Sequence, residues 1–258
     1  MKELIIIAGP CVIEDEKTTT EIASYLKDNL SDLPIKLIFK ASFDKANRTS
    51  VDSYRGPGLK AGLEILKNIK EKTNLPILTD IHCCQQIKDV EKVADIIQIP
   101  AFLSRQTDLI VEAAKTKKTI NIKKGQFISP QSTRYILKKI ESTGNKNILI
   151  TERGFCFGYN NLVVDFRSFL IMKEFGYPVI FDATHSLQRP SAESGISGGD
   201  SQFVKPLSLA AAAAGVDGFF LEVHPRPEKA LSDRFTTYKL NKIKDLIKKI
   251  LSIKKIVD

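Results

Sequence analysis

Residues 34–58 read PIKLIFKASFDKANRTSVDSYRGPG, and in this stretch a short apolar strand runs directly into concentrated charge. The apolar part, 34–39, has the composition of a buried β-strand. The cations that follow it are Lys40, Lys45, Arg48 and Arg55. Hydroxyl and amide side chains stand between them. Fixed ammonium and guanidinium donors match the oxygens of a phosphate, so the stretch predicts either a phosphate-binding loop at a strand end or a solvated surface loop.

The same strand-and-helix unit recurs along the whole chain. Apolar runs that predict strands lie at 4–8, 35–41, 75–81, 95–99, 119–123, 148–151, 178–183 and 218–223. Helical periodicity follows each of them, at 18–30, 59–72, 85–93, 106–115, 132–141, 164–175, 204–214 and in the lysine-rich C-terminal segment. Thr18 or Thr19 is expected to cap the first helix. Eight such units predict a single (β/α)8 TIM barrel, one domain over residues 1–258, with a doubly wound open sheet as the alternative.

The predicted strand ends carry polar side chains, and in a barrel the C-terminal strand ends face one site. These side chains are Cys11, Lys40, Ser42, Asp80, His82, Gln98, Lys123, Arg153, Asp182, His185, Glu222 and His224. Alternation in the run TINIKK at 119–124 turns Asn121 and Lys123 into the barrel, so we expect Lys123 rather than Lys124 in the site. The long Gly/Ser-rich segment 186–203 leaves the seventh strand and predicts a lid or binding loop.

Four of the side chains have the chemistry of metal ligands. Cys11, His185, Glu222 and Asp233 come from strands one, seven and eight and the loop beyond, and strand eight pairs with strand one in a closed barrel. Thiolate, imidazole and carboxylate together suit Zn2+, Fe2+ or Mn2+ without selecting one. From the residues alone we prefer the alternative, a packing cysteine and a hydrogen-bonded loop histidine, because no local spacing such as HxxxH supports a metal.

The charge distribution narrows the function classes. The chain of 258 residues has a formal net charge of +9, and the segment 238–258 alone carries seven lysines and two aspartates. That segment predicts a surface helix rather than a nucleic-acid-binding face. No run approaches the roughly 20 apolar residues of a membrane span. The four cysteines lack disulfide-framework spacing, so we expect a cytoplasmic protein with reduced thiols. From the location of the charge and the lack of a long apolar run, we expect no nucleic-acid partner and no membrane partner.

At these residues the sequence resembles the 3-deoxy-D-manno-octulosonate 8-phosphate synthases over essentially its whole length. The matching blocks are AGPC at 8–11, FKASFDKANRT at 39–49, SYRGPGL at 53–59, QIPAFLSRQTDL at 98–109, NIKKGQF at 121–127, TERGF at 151–155, FGYNNLVVDFRSF at 157–169, DATHSLQRP at 182–190, EVHP at 222–225 and SD at 232–233. The lid sequence, the pair Phe155-Cys156 and the Cys-Cys after His82 depart from the usual pattern. The resemblance implies condensation of phosphoenolpyruvate with arabinose 5-phosphate and water, on the route to lipopolysaccharide, by a homotetrameric barrel.

The resemblance also implies roles for individual residues. It implies that phosphoenolpyruvate is bound by Lys40, Lys45, Lys123 and Arg153, with Ser42 and Gln98 nearby. It implies that the sugar phosphate is bound by Asn47, Arg48 and Thr49, with Arg105 contributed by a neighbouring subunit. It makes Cys11, His185, Glu222 and Asp233 the ligands of a divalent metal and places the chain in the metal-dependent branch, where Asp233 also takes part in catalysis and His185 lies beside the substrate. This reverses the preference drawn from the residues alone.

Three other readings remain open on the sequence. A synthase using erythrose 4-phosphate shares the barrel, but Asn47 within Lys45–Ser50 suits the longer sugar. A barrel aldolase acting through a lysine Schiff base needs a lysine of depressed pKa, whereas several clustered cations imply bound anions. A nucleic-acid binder needs a basic face, which a single lysine-rich helix does not provide.

Overall fold

Eight parallel strands close into a barrel in this computed structural model. The structure describes residues 3–48, 50–156, 161–193 and 196–257, except for the side chains at 190–193, 196 and 197. The barrel strands are β1 (Leu4–Gly9), β2 (Ile35–Lys40), β3 (Ile77–Asp80), β4 (Ile96–Ile99), β5 (Thr119–Lys123), β6 (Ile148–Glu152), β9 (Val179–Asp182) and β12 (Gly218–His224). Strand β12 pairs with β1 from Ile5↔Gly218 to Gly9↔Glu222, and this pairing closes the sheet. The predicted (β/α)8 TIM barrel is therefore confirmed, and the open-sheet alternative is wrong.

Helices follow the strands on the outside of the barrel. They are α1 (Glu16–Leu30), α2 (Leu59–Thr73), α3 (Ile87–Val90), α4 (Thr107–Lys115), α5 (Thr133–Glu141), α6 (Arg167–Lys173), α7 (Val204–Ala213) and α8 (Ile243–Val257). In α8 the side chains of Ile243, Ile247 and Ile250 are buried while most of the lysines, Lys254 excepted, lie on the other side, which confirms the predicted surface helix. Among the described residues no helix combines the length and apolar character that crossing a bilayer requires.

Two helical predictions were wrong in detail. Helix α1 begins at Glu16, and its cap is Asp15, whose Oδ1 accepts a hydrogen bond of 2.7 Å from the Thr18 backbone N–H. Asp15 offers its carboxylate one turn before the threonines, so Thr18 lies inside the helix instead of capping it. Helix α3 has only four residues after a 3₁₀ turn over Cys84–Gln86, because the segment buries little more than Ile87 and Val90.

The core consists of two apolar layers that follow the alternation of the strands. Inside the barrel one cluster contains Ile7, Ile38, Leu78, Ile96, Leu149, Ile180 and Phe220. The intervening strand residues face outward and pack against the helices in a larger cluster. Above the inner cluster, the Lys123 ammonium lies 3.4 Å from the centroid of the Phe220 ring. The inner layer therefore forms an apolar floor beneath the polar side chains at the strand ends.

Four further strands form two small hairpins, and β13 (Tyr238–Lys239) pairs with the end of β12. The first hairpin joins β7 (Phe155–Cys156) to β8 (Leu162–Val163). The second joins β10 (Gln188–Glu193) to β11 (Ile196–Gly199), with Gln188 paired to Gly199. The segment predicted as a lid is therefore a hairpin rather than an irregular loop, and residues 194 and 195 lie outside the described part.

Candidate active site

A cavity of about 770 Å³ opens at the C-terminal ends of the barrel strands. The site residues anticipated from the sequence that line it are Lys40, Lys45, Asn47, Arg48, Gln98, Lys123, Arg153, His185 and Asp233. They come from loops and strand ends spread around the barrel, because a closed parallel sheet points all its carboxyl ends to one face.

Other predicted residues lie behind or away from this cavity. Ser42 is fully buried, and its Oγ accepts a 2.8 Å hydrogen bond from Lys45 Nζ, so it supports Lys45 from behind. Arg105 is exposed and does not line the cavity of its own chain; its backbone carbonyl accepts a 2.8 Å hydrogen bond from Lys139. Arg55 pairs with Asp44 at 2.6 Å on the surface. Thr49 lies outside the described residues.

The four candidate metal ligands meet at one side of the cavity. One possible ligand atom from each of Cys11, His185, Glu222 and Asp233 lies within 4.8 Å of all the others. Cys11 Sγ lies 2.9 Å from Asp233 Oδ2, and His185 Nε2 lies 3.2 Å from Glu222 Oε1. The pairing of β1 with β12 places Gly9 opposite Glu222, which brings Cys11 and Glu222 together.

The backbone of this region is shaped to bring the ligands close. A Cβ on Gly9 would lie 1.9 Å from the Lys40 carbonyl oxygen, so only glycine allows β1 and β2 to approach here. Lys40 Nζ in turn donates to the Cys11 carbonyl at 2.7 Å and to Glu222 Oε1 at 2.8 Å. Asp233 adopts a left-handed conformation with φ of 48°, in a turn where its own carbonyl accepts hydrogen bonds from the backbone N–H groups of Thr236 and Thr237.

The chemistry of the donor set fits a divalent cation. Burial and the carboxylates of Asp233 and Glu222 raise the pKa of the Cys11 thiol far above its usual value, an arrangement that a bound cation would reverse. Glu222 Oε2 is buried and has no hydrogen-bond partner among the described residues. His185 Nδ1 lies 2.7 Å from Asp182 Oδ2, which orients the ring and leaves Nε2 facing the other ligands. One thiolate, one imidazole and two carboxylates suit Zn2+, Fe2+ or Mn2+.

The cations occupy distinct electrostatic environments. Lys123 forms a buried ion pair with Asp182, yet burial lowers the pKa of Lys123 to about 8, with Arg153 and Lys40 acting in the same direction. Burial also opposes the charge of Lys45, but the acidic groups around it, Cys11 and Asp80 foremost, raise the pKa of Lys45 above the usual lysine value. The Arg153 guanidinium donates to the His185 carbonyl at 3.1 Å and to Gln188 Oε1 at 2.5 Å.

Lys124, the neighbour of Lys123, is fully buried but does not line the cavity. Its Nζ donates to the carbonyl oxygens of Gly125 and Ile128. The geometry therefore matches the choice of Lys123 that alternation predicted.

Several cavity residues were missed as site residues from the sequence. Gln188 Nε2 donates to Asp233 Oδ1 at 2.8 Å while its Oε1 accepts from Arg153, so it links the Arg153 guanidinium to a metal-ligand candidate. Ser232 Oγ accepts a hydrogen bond from Arg48 and lies 2.7 Å from Cys11 Sγ. Both residues stand in loops, where no periodicity shows which way a side chain points. The only sequence signal was their membership in the blocks DATHSLQRP and SD.

Asp80 and His82 also line the cavity, and His224 does not. Asp80 Oδ2 lies 3.1 Å from His82 Nε2. Although burial opposes it, the charges of Lys45 and His82 hold the pKa of Asp80 well below its usual range. Asp80 therefore contributes a negative charge to the cavity wall close to Lys45.

The comparisons with known proteins agree with this geometry. The model of the DAHP synthetase I family matches residues 2–257. A protein of Geobacter sp. (strain M21), named 2-dehydro-3-deoxyphosphooctonate aldolase, is 54% identical over 257 residues, which cover 100% of this chain and 94% of that protein. Proteins of the same name from Desulfatibacillum aliphaticivorans and Fusobacterium nucleatum are each 52% identical, over 98% and 99% of this chain and 92% of theirs.

Proposed function

The chain belongs to the DAHP synthetase I family, within it to the 2-dehydro-3-deoxyphosphooctonate aldolases, and we propose that it condenses phosphoenolpyruvate with D-arabinose 5-phosphate and water. The products are 3-deoxy-D-manno-octulosonate 8-phosphate and inorganic phosphate, on the route to lipopolysaccharide. The observation that carries the proposal is the convergence of Lys40, Lys45, Lys123 and Arg153 on one cavity beside Asn47 and Arg48. Two dianionic phosphate esters, one also a carboxylate, require such a density of cations.

The reaction forms one bond between two carbons and one bond between carbon and oxygen, and it breaks the bond between C2 and the phosphate oxygen. C3 of phosphoenolpyruvate attacks the aldehyde carbon of the sugar, and the oxygen of a water molecule bonds to C2. When the C2–O bond to phosphate breaks, C2 becomes a carbonyl carbon; one proton of the water ends on the former aldehyde oxygen and the other leaves with phosphate. In our proposal Lys40, Lys45, Lys123 and Arg153 hold the carboxylate and phosphate and fix the orientation of C3. Asn47, Arg48 and Thr49 hold the sugar phosphate. Positioning and fixed charge then supply most of the rate enhancement.

Asn47 is the residue we expect to select the five-carbon sugar. Phosphate release from phosphoenolpyruvate should be fast with arabinose 5-phosphate and at least about 10-fold slower with erythrose 4-phosphate, since the shorter sugar cannot contact both the reacting centre and the far phosphate site. Asn47→Ala should impair arabinose 5-phosphate most, whereas Asn68→Ala on the surface of α2 should change neither rate. Equal or faster turnover of erythrose 4-phosphate by the unmodified chain would contradict the assignment.

The second candidate is an aldolase acting through a Schiff base on Lys123, and the pKa of about 8 favours it. The ion pair between Lys123 and Asp182 argues against the Schiff-base aldolase, because it stabilises the ammonium form of Lys123, and this group would have to become a free amine. Borohydride reduction in the presence of pyruvate separates the two readings. A Lys123 adduct detected by mass spectrometry supports the Schiff-base aldolase, and its absence together with phosphate release supports the synthase.

We propose that Cys11, His185, Glu222 and Asp233 hold a divalent metal in the cell. When bound, the cation would supply Lewis-acid polarisation of an aldehyde or a water molecule. Asp182 orients His185, and Lys40 balances the charge of Glu222. A thiolate ligand requires reduced cysteine, which suits the cytoplasmic location that we also propose.

Removal of the metal should abolish turnover without unfolding the chain. Dipicolinate or EDTA should inactivate the enzyme, and Mn2+, Fe2+ or Zn2+ should restore activity to differing extents, because several kcal/mol of transition-state stabilisation are lost with the cation. Cys11→Ala should lose metal and activity together, while the exposed Cys156→Ala should lose neither. Cys11→Asn, which imitates the metal-independent branch, is expected to retain some chelator-insensitive activity. Full activity of a chain shown by elemental analysis to contain no metal would contradict the proposal.

A further inference from the structure

A lysine and a glutamate lie fully buried on the outer side of the barrel, where the strand alternation calls for apolar residues. Lys124 follows Ile120 and Ile122 on the outward face of β5, and Glu152 follows Ile148 and Ile150 on that of β6. The four isoleucines belong to the apolar layer between strands and helices. The side chains of Lys124 and Glu152 have no exposed area, and their charged atoms are 3.4 Å apart.

The pair has few degrees of freedom left. Lys124 Nζ donates to the carbonyl oxygens of Gly125 and Ile128, each at 3.0 Å, and lies 3.7 Å from the centroid of the Phe155 ring. Two carbonyl oxygens, the Glu152 carboxylate and the face of one aromatic ring therefore surround the ammonium group of Lys124. These bonds hold the loop that leaves β5.

Glu152 fixes the turn that leaves β6 in the same way. Its Oε1 accepts a 2.6 Å hydrogen bond from the Gly154 backbone N–H. Gly154 has φ of +94°, a conformation that glycine adopts without strain and that a side chain disfavours. The turn between Glu152 and Gly154 consists of Arg153 alone, so the carboxylate sets the direction in which Arg153 leaves the backbone.

Stability alone does not account for this arrangement. Burial disfavours the charged form of both groups, since it lowers the pKa of Lys124 and raises the pKa of Glu152, so an ion pair placed here costs free energy. Replacing a buried ion pair by apolar residues of similar volume is often neutral or stabilising. A pair kept in an otherwise apolar layer therefore points to a need for a defined geometry.

Each member of the pair is the direct sequence neighbour of one cavity cation. The positions of these two cations therefore depend on the pair. Lys123 precedes Lys124 and points into the barrel, and Arg153 follows Glu152. We propose that Lys124 and Glu152 are positioning residues, whose buried ion pair holds the ends of β5 and β6 so that Lys123 and Arg153 present their charges to one phosphoenolpyruvate molecule. This inference rests on the function proposed above, and its test is chosen to be independent of turnover.

The test measures equilibrium binding of phosphoenolpyruvate and of inorganic phosphate to the full chain loaded with Mn2+. Glu152→Gln and Lys124→Met each break the pair while nearly keeping its volume, and both should raise the Kd for the two anions about 10-fold, as loss of an outer supporting contact typically does. Glu152→Asp keeps the charge and should recover most of the affinity. In steady-state assays the KM for phosphoenolpyruvate should rise while the KM for arabinose 5-phosphate stays unchanged.

Two further variants separate positioning from a general loss of stability. Lys70→Met breaks the Lys70–Asp95 ion pair at the opposite end of the barrel and should lower the melting temperature without changing either Kd. The double variant Lys124→Met/Glu152→Leu replaces the pair by apolar side chains; it should remain as heat-stable as the unmodified chain and still bind both anions weakly. If a single variant fails to fold, the anion affinity of this double variant still tests whether the pair positions the two cations.

Several results would overturn the inference. One is unchanged anion affinity in a folded double variant, and another is an equal loss of affinity in Lys70→Met. If the unmodified chain binds phosphate but releases none from phosphoenolpyruvate, the proposed function fails, and the effect of the variants on phosphate binding still decides whether the pair positions the two cations.

Discussion

Adjacent lysines on β5 have opposite surroundings, and the difference decides what each can do. Lys123 lies over the Phe220 ring, next to Asp182 and two other cations, whereas Lys124 is enclosed by backbone carbonyls and Glu152. Alternation along a strand is enough to assign the two directions. The electrostatic environment that follows, including the lowered pKa of Lys123, depends on residues from other strands.

That lowered pKa leads to a prediction about pH. Below pH of about 8 Lys123 carries the charge that binds an anion; above it the charge is lost and the carboxylate of Asp182 remains, so the KM for phosphoenolpyruvate should rise by about 10-fold per pH unit. Once bound, the anion raises the pKa of Lys123, so kcat should fall only at higher pH. Steady-state kinetics from pH 6.5 to 10 measure both profiles.

The matched variant is Lys123→Arg, whose guanidinium stays charged over this range. Its KM for phosphoenolpyruvate should not respond to pH near 8, even if kcat is reduced. A KM that is constant in the unmodified chain up to pH 10 would show that Lys123 is not the titrating cation.

At the scale of elements, the hairpin β10–β11 contributes one residue that joins two side chains of the cavity. Its first residue, Gln188, bridges Arg153 and Asp233 through the two ends of one carboxamide. The hairpin can hold this bridge because Gln188 is paired with Gly199 in the backbone ladder, and this pairing fixes Gln188 next to the barrel. The length and composition of 186–203 indicated a functional segment, but not this contact.

Truncation of Gln188 should weaken metal binding. Gln188→Ala removes the donor that orients Asp233, and we expect the affinity for Mn2+ or Zn2+ to fall about 10-fold, as found when outer partners of metal ligands are removed. Competition with a chromogenic chelator measures this without reference to activity. Gln202→Ala, exposed in the turn before α7, is the control and should leave the affinity unchanged. The same metal affinity in both variants would argue against the bridge.

At the scale of the whole molecule, one predicted substrate residue is directed away from its own cavity. Arg105 is exposed, and Phe102, three residues before it, is more than half exposed. The exposure of Arg105 outside its own cavity fits the homotetramer that the resemblance implies, in which Arg105 would complete a neighbour's sugar-phosphate site. Within a single chain, Arg105 does not line the cavity that would bind the substrate.

Hybrid oligomers test this assembly. Arg105→Ala and Arg153→Ala should each be nearly inactive alone, but co-expressed chains should regain activity, because a site with intact Arg153 can receive Arg105 from the other variant; random mixing makes about a quarter of the sites complete. Arg55→Ala mixed with Arg153→Ala is the control and should show only the activity of its Arg55→Ala sites. A fully active monomer on light scattering, or no recovery in the hybrids, would contradict a shared site.

The barrel was determined by the sequence, and so was the gathering of most of the predicted polar side chains at one cavity, because both depend on local rules. Strand alternation distinguishes inward from outward side chains, and parallel closure brings all carboxyl ends to one face. Cys11 and Asp233 are 222 residues apart, and strand order predicted that strands one and eight are neighbours, while only the resemblance implied that these two side chains share a site. Local rules were weakest for α3 and for the cap of α1, where few residues are involved.

Only the tertiary structure decided how the charges are paired. The sequence cannot show that Arg55 turns to Asp44, that Lys40 turns to Glu222, or that Lys124 finds Glu152 in an apolar layer. Each of these pairings joins side chains whose directions depend on loops or on neighbouring strands. Burial then changes the pKa of each group according to what surrounds it, and those surroundings exist only once the barrel has closed.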